Sequence, residues 1–152
     1  MGSQRHATTL ARQRARRFLV QALYQWQVGA ADPQDVLIQF VDGRNLGQAD
    51  LDYFRSVLRA IPAAVERLDA TIDPLLERSI ALVDPIERGI LRLACHELLE
   101  RLEVPARVVI DEAVELTKAF GAPQSHRFIN GVVDRLAHQL RPYELGHSGS
   151  AS

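Results

Sequence analysis

The sequence lacks the features that mark disulfide-rich, membrane-spanning and nucleotide-binding proteins. Its 152 residues include one cysteine, Cys95, which excludes an internal disulfide framework and is typical of a reducing compartment. No apolar stretch approaches the roughly 20 residues that span a bilayer. Glycine-rich phosphate loops are absent, and the five histidines have no metal-ligand spacing. We therefore expect no catalytic centre, metal, cofactor or membrane contact, and interpret Cys95 as a small buried side chain.

Acidic residues are absent from the first 31 positions, which contain five arginines. The remaining 121 positions contain 13 basic and 19 acidic residues, so the net charge of −1 averages a basic segment and an acidic body. This asymmetry favours a polyanionic partner over catalytic chemistry. A mitochondrial transit peptide is the alternative, but this segment has little serine or threonine and continues into the apolar stripe of Leu23 and Trp26.

Apolar residues recur at helical spacing along almost the whole chain, and no run shows strand-like alternation. Aspartate–proline pairs mark the starts of several helices, because aspartate caps and proline suits the first turn. Pro62 lies inside an apolar stripe and predicts a kink or a break. We therefore predict an all-α protein of about seven helices. The predicted helical ranges are about 8–28, 33–42, 48–68, 74–79, 85–102, 105–120 and 123–141.

The spacing of these helices predicts one domain over residues 1–152. We expect it to consist of two helical sub-bundles, over about 8–79 and 84–141, that share a core. The tails, residues 1–7 and 143–152, are predicted to be disordered, since terminal segments without apolar anchors are poorly held.

The first helix combines arginines and a tyrosine in one short stretch, RQRARRFLVQALYQWQ at 12–27. At about 100° per residue, Leu23 and Trp26 fall on the apolar side, whereas Tyr24 falls outside it. The arginines are Arg12, Arg14, Arg16 and Arg17. Without acidic partners they repel one another, and arginine next to an aromatic ring suits phosphate contact and base stacking. We predict a single-stranded RNA surface, against the alternatives of a solvated face or a membrane-surface helix.

A second candidate patch lies in FGAPQSHRFINGVVDRL, residues 120–136. Phe128 falls on the flank of the apolar stripe of the last helix, with Gln124 and Arg135 beside it and Arg127 further round. A helix also begins here, and its free N–H groups suit a phosphate. Phe128 as a half-buried packing residue is the simpler alternative.

Three segments form an ordered set of motifs over about residues 10–142. They read ARQRARRFLVQALYQW, DPIERGILRLACHELL and VVIDEAVELTKAFGAPQSHRFINGVVDRL. In order and spacing this set resembles the NusB family of bacterial transcription antitermination factors. The resemblance implies two three-helix bundles and a cytoplasmic, non-enzymatic protein. It also implies binding of boxA RNA together with the ribosomal protein NusE, within RNA polymerase antitermination complexes, notably on ribosomal RNA operons.

The resemblance also implies roles for particular residues. The RNA contacts that it implies are Arg12, Arg14, Arg16, Tyr24, Gln124, Arg127 and Phe128. Glu87 matches the family's acidic position at the start of the fifth helix and is a candidate partner contact, although it also suits a capping box with Asp84. The chain departs from the family at Gln13, where arginine is common, and at Gln124, where an acidic residue is common.

The second half of the chain is rich in carboxylates and is implied to bind NusE, because a basic ribosomal protein suits an acidic face. These carboxylates are Glu97, Glu100, Glu103, Asp111, Glu112 and Glu115. Two other functions stay open. The chain can be the RNA-binding domain of a ribosomal RNA cytosine methyltransferase, or an oligomeric scaffold, including a homodimer that hides the arginine helix.

Overall fold

The computed structural model of the protein describes the backbone of residues 2–145 and the side chains of residues 8–145. Within these residues all regular structure is helical, which confirms the predicted all-α class. None of the described helices is long and apolar enough to cross a membrane. The 3₁₀ turn Asp73–Leu75 stands at the start of the short helix predicted over about 74–79, and a second 3₁₀ turn, Ile80–Leu82, follows that range. The α-helices are α1 (Gly2–Gly29), α2 (Pro33–Gly43), α3 (Leu51–Ala63), α4 (Val65–Ile72), α5 (Pro85–Glu100), α6 (Ala106–Phe120) and α7 (Ser125–Leu140).

The chain divides into two compact units, Met1–Ala64 and Val65–Ser152. The expected division at residues 79–84 differs from this one, because the chain already breaks after Pro62. The N–H of Ala64 donates to the carbonyls of Ala60 and Ile61, both at 3.1 Å, and closes the end of α3. The break predicted from Pro62 is therefore confirmed, and α4 packs on α5 in the second unit.

The first unit is built by α1, α2 and α3, which pack on one another through apolar side chains. The rings of Phe40 and Phe54 meet at 5.7 Å between centroids, within the range of a favourable aromatic pair. The start of α3 is tied to α1, because the N–H of Asp50 donates to the carbonyl of Ala11 at 2.9 Å. The other fully buried residues of this core include Leu19, Leu23, Val36, Val57, Leu58 and Ile61.

The second unit is organised around α5, which is packed by α4, α6 and α7. Every residue of α5 from 89 to 98 is buried, so no exposed face remains along this stretch. Arg92 is accommodated there by a two-pronged pair with Asp69 of α4, at 2.8 and 2.7 Å. Burial raises the pKa of the Cys95 thiol to about 12, and its interpretation as a buried packing residue is confirmed.

Arg141 joins the end of α5 to the loop that follows it. Its buried guanidinium donates to the carbonyls of Leu98 at 3.0 Å, Glu97 at 2.8 Å and Arg101 at 3.0 Å. It also donates to the carbonyl of Val104. The carbonyls of Glu97 and Leu98 lie in the last turn of α5, where helix carbonyls run short of intrahelical donors. The carbonyls of Glu97 and Arg101 also accept backbone N–H groups, from Arg101 at 3.0 Å and from Val104 at 2.9 Å.

Glu144 completes this junction from the other side. Its carboxylate pairs with Arg141 at 3.0 Å and accepts the N–H of Ala106, the first residue of α6, at 2.8 Å. The backbone turns here, since the N–H of Glu144 donates to the carbonyl of Arg141 at 3.1 Å. We call Arg141 and Glu144 the C-terminal clasp, since they join the end of α5 to the start of α6.

The ends of the domain are more ordered than the sequence suggested. The backbone of residues 2–7 continues α1, and residues 142–145 form a helical turn, although residues 1–7 and 143–152 were predicted to be disordered. The turn is held because Glu144 has partners that a sequence pattern does not reveal. The disorder predicted for Met1 and residues 146–152 falls on positions outside the described residues.

Removal of the Arg141 guanidinium is expected to destabilise the protein. Arg141→Gln removes four hydrogen bonds to backbone carbonyls and the ion pair with Glu144, and we expect a loss of about 3 kcal/mol in the free energy of unfolding. Urea denaturation measures this loss. Arg107→Gln is the matched control, because Arg107 is exposed and its substitution also removes one positive charge from the second unit. Equal stability of the two variants would show that the clasp does not stabilise the unit.

The clasp is also expected to depend on pH. The hydrogen bond from the Ala106 N–H, followed by the contact with Arg141, lowers the pKa of Glu144 below its ordinary value of 4.5. A lowered pKa in the folded state gives stability above the unfolded pKa, and this stability is lost as pH falls through the folded value. The stability advantage of the native protein over Glu144→Gln should therefore be present at neutral pH and disappear in acid. A difference that is constant across pH would contradict this.

Candidate nucleic-acid interface

The exposed face of α1 is the main candidate surface of the first unit. It presents Arg14, Arg17 and Tyr24, all exposed, with Tyr24 40% accessible. Gln21 lies between them on the same face, because residues three and four apart share one side of a helix. Its amide donates to the carbonyl of Arg17 at 3.4 Å. The face therefore combines two guanidinium groups and one aromatic ring, as predicted for these residues.

Arg12 lies at the edge of this face and is held by α3. Its guanidinium carbon lies 3.9 Å from the centroid of the Tyr53 ring, and its Nε donates to Asp50 at 3.4 Å. Asp50 is itself fixed, since it accepts the N–H of Tyr53 at 3.0 Å and caps α3. Nothing in the spacing of the sequence indicated the pair between Asp50 and Arg12.

Arg16 is buried, with only 3% of its surface accessible, so its predicted place on the exposed side is wrong. Val20, one turn later, is buried as well. The ring of Tyr53 lies along this flank of α1, 5.9 Å from the Arg16 guanidinium carbon. Helical projection gives the angle of a side chain but does not show which angles a neighbouring helix covers. Contact between RNA and Arg16 stays a prediction, and the burial favours a structural role.

The second candidate surface lies in the second unit, at the start of α7. Phe128 is 38% accessible, which fits both the half-buried packing alternative and a ring that a ligand can reach. Gln124 and Arg127 are exposed, and neither forms a hydrogen bond or an ion pair with other described side chains. Gln124 precedes α7 without a side-chain cap bond, so the first N–H groups of this helix have no cap from that residue. RNA contact by these three residues stays a prediction.

Phe128 borders a cavity of about 390 Å³ in the second unit. Glu87, expected only as a contact for a protein partner, lines the same cavity. It therefore shares this cavity with Phe128, and its role as a partner contact stays untested. The other lining residues are Leu75, Leu76, Glu77, Arg78, Val83, Asp84 and Arg135.

Glu87 has a perturbed carboxyl group. Burial and the neighbouring Asp84 raise its pKa, while a hydrogen bond from Ser125 and the charge of Arg78 oppose them. The predicted capping box forms only in part. Asp84 accepts the N–H groups of Ile86 at 3.0 Å and Glu87 at 3.3 Å, but among the described residues the Glu87 side chain does not return to the cap.

The predicted acidic face is less uniform than the sequence suggested. Glu97 is only 2% accessible, because it lies on the buried stretch of α5, so its place on that face is wrong. Glu100 pairs with Arg67 at 2.8 Å and Glu103 pairs with Arg101 at 3.2 Å. Asp111 is exposed and forms no described ion pair. In the part of the chain that the structure describes, no cluster of these carboxylates and histidines could hold a metal ion.

Comparison with known sequences identifies close relatives. The sequence profile of the NusB family matches residues 13–138. A transcription antitermination protein NusB from Halorhodospira halophila is 52% identical over 91% of this chain and 90% of its own length. The protein of the same name from Hahella chejuensis is 44% identical over 91% of this chain and 93% of its own length.

Solved structures show the same fold. NusB of T. maritima superposes with a TM-score of 0.76 at 31% identity, over 88% of this chain and 94% of its own. A crystal structure of the antitermination factors NusB and NusE in complex with double-stranded RNA contains a chain that superposes with a TM-score of 0.73 at 27% identity. That match covers 83% of this chain and 95% of the other. The chain therefore belongs to the NusB family.

Proposed function

We propose that this protein is a transcription antitermination factor that binds single-stranded boxA-type RNA together with NusE. In this proposal it acts in the cytoplasm, within antitermination complexes on RNA polymerase that support ribosomal RNA transcription. The relatives described above carry the name transcription antitermination protein, and none of those names describes an enzyme. The related complex of NusB, NusE and RNA supports both partners.

The exposed face of α1 carries this proposal. Arg14 and Arg17 place two guanidinium groups in solvent, and arginine binds phosphate through paired donors. Tyr24 adds an exposed ring on the same face, and a base can stack on it whatever its sequence. A backbone contact beside a stacking contact suits an unpaired strand, because paired bases are already stacked. The solved complex contains double-stranded RNA, so duplex binding is the competing outcome.

Phe128 supports a second RNA contact, in the second unit. An exposed ring beside a cavity and the exposed Arg127 repeat the combination found on α1. Gln124 is uncharged where acidic residues are common in the family, and it therefore does not repel phosphate. Arg12 is proposed to contribute at the edge of the α1 face, with its guanidinium held in place by Asp50 and Tyr53.

The acidic surface of α6 supports NusE as the protein partner. Asp111 and Glu115 are exposed on this helix, and a basic ribosomal protein is attracted by such a surface. The methyltransferase alternative receives no support, because the relatives described above are antitermination proteins matched over nearly their whole length. A homodimer that covers α1 is tested by light scattering with and without RNA.

RNA affinity is expected to depend on the exposed residues of α1. Tyr24→Ala removes a stacking contact, which contributes about 1–3 kcal/mol per base. Arg14→Gln with Arg17→Gln removes two phosphate contacts and should lower the slope of log affinity against log salt by about 1.4. Fluorescence titration of labelled boxA RNA, scrambled RNA and a duplex, with and without NusE, measures these effects.

Matched variants separate recognition from folding and from net charge. Tyr24→Phe keeps the ring and should bind RNA like the native protein. Arg59→Gln with Arg107→Gln removes two charges from exposed positions on other helices, α3 and α6, and should have little effect. If Tyr24→Ala and the Arg14/Arg17 variant bind boxA RNA like this control, the α1 face is not the RNA site. Tighter binding to the duplex would replace the proposed single strand.

NusE binding is expected to depend on α6 and not on α1. Asp111→Lys reverses an exposed charge and should weaken NusE binding about fivefold, because repulsion replaces attraction. The control, Glu66→Lys, reverses an exposed charge on α4 of the same unit. Isothermal titration calorimetry measures the affinity of both variants for NusE. In the absence of NusE, both variants should bind boxA RNA with the affinity of the native protein. Equal NusE affinity for the two variants would place the interface elsewhere.

A further inference from the structure

Arg44 is an exposed cation that follows the end of α2 and that no sequence motif singled out. Gly43 ends the helix, and Arg44 continues in an extended conformation, with φ −129° and ψ 151°. The side chain returns over the last turn, and its guanidinium carbon lies 4.1 Å from the centroid of the Phe40 ring. Phe40 is fully buried, so one face of the guanidinium rests on the core of the first unit.

A hydrogen bond fixes Arg44 against α1. Its Nη1 donates to the side-chain oxygen of Gln21 at 3.0 Å. Gln21 lies one turn after Arg17 and three residues before Tyr24, on the exposed face of α1. Arg44 therefore continues that face across to the loop between α2 and α3.

The charge of Arg44 is not balanced within the described part of the protein. The side chain forms no ion pair there, and Asp42, two residues earlier, forms none either. Arg12 is the contrast on the same unit, because Asp50 neutralises it. A planar guanidinium held by a ring and an amide, with donors left over, is preorganised for two parallel bonds to a phosphate.

We propose that Arg44 is a further RNA contact, which binds a backbone phosphate and extends the α1 surface by one position. This inference rests on the proposed RNA binding by α1. The expected ligand is a phosphate, because the remaining in-plane donors of the guanidinium match two phosphate oxygens, and such a contact carries no base-sequence information.

The structural alternative is that Arg44 only stabilises the end of α2. A cation at a helix C-terminus interacts favourably with the helix dipole. Such a role changes the melting temperature but leaves the salt dependence of RNA binding untouched. The salt dependence separates the two roles, because it counts the phosphates that the protein neutralises.

The test uses the full chain and a labelled single-stranded boxA RNA with flanking nucleotides, titrated over a range of potassium chloride concentrations. Arg44→Gln should weaken binding about fivefold at low salt and reduce the log–log salt slope by about 0.7. Arg44→Lys keeps the charge and should keep the slope. Arg59→Gln is the matched control. Arg59 is exposed near the start of α2, whereas Arg44 follows the end of that helix, and the helix is about 15 Å long.

The outcomes distinguish this inference from the proposed function. A reduced slope for Arg44→Gln, with no change for Arg59→Gln, supports the contact. If the two variants behave alike while the Arg14/Arg17 variant loses affinity, Arg44 is not a contact although α1 is the RNA site. A lower melting temperature for Arg44→Gln with an unchanged slope also overturns the contact. If even the Arg14/Arg17 variant binds like the native protein, the proposed function fails and the Arg44 contact fails with it.

Discussion

The packing of Tyr53 against α1 determines what the arginines of the first helix can do. The centroid of the ring lies 3.9 Å from the Arg12 guanidinium carbon and 5.9 Å from that of Arg16. Asp50, the cap of α3, neutralises Arg12. Part of the positive charge of α1 thus holds α1 to α3. Arg14 and Arg17 remain in solvent. A cluster of like charges, unfavourable on an isolated helix, is made compatible with folding because one side of it is neutralised internally.

The two units use charge in different ways. In the first unit, Arg14 and Arg17 lie on one face of α1 and the opposite side of this helix is apolar core, so folding itself arranges the surface for a polyanion. In the second unit, Arg92 and Arg141 are buried. Arg92 donates to the carboxylate of Asp69, and Arg141 donates to backbone carbonyls. Arginine composition alone therefore says little about nucleic-acid binding. The accessibility of each arginine and the presence of a carboxylate partner distinguish a surface for nucleic acid from a buried structural contact.

Local signals predicted most of the helices, because caps, prolines and apolar spacing act within a few residues. The break after Pro62 and the start of α5 at Asp84 are examples. Tertiary contacts account for what the sequence did not reveal. The burial of Arg16 and Glu97 depends on which helices pack beside them. The angle of a residue around its own helix does not predict those neighbours. Arg44 stands in a loop without periodicity, and only the folded chain brings it to Gln21 and Phe40.

The C-terminal clasp also sets an order of assembly during synthesis. Arg141 reaches a carbonyl 43 positions earlier in the chain, and Glu144 reaches an amide 38 positions earlier. The junction between α5 and α6 consequently lacks these partners until residue 144 has left the ribosome. At about 5–20 residues per second, the helices of the first unit emerge several seconds before that moment. A nascent chain can thus present the α1 surface while the second unit is still incomplete.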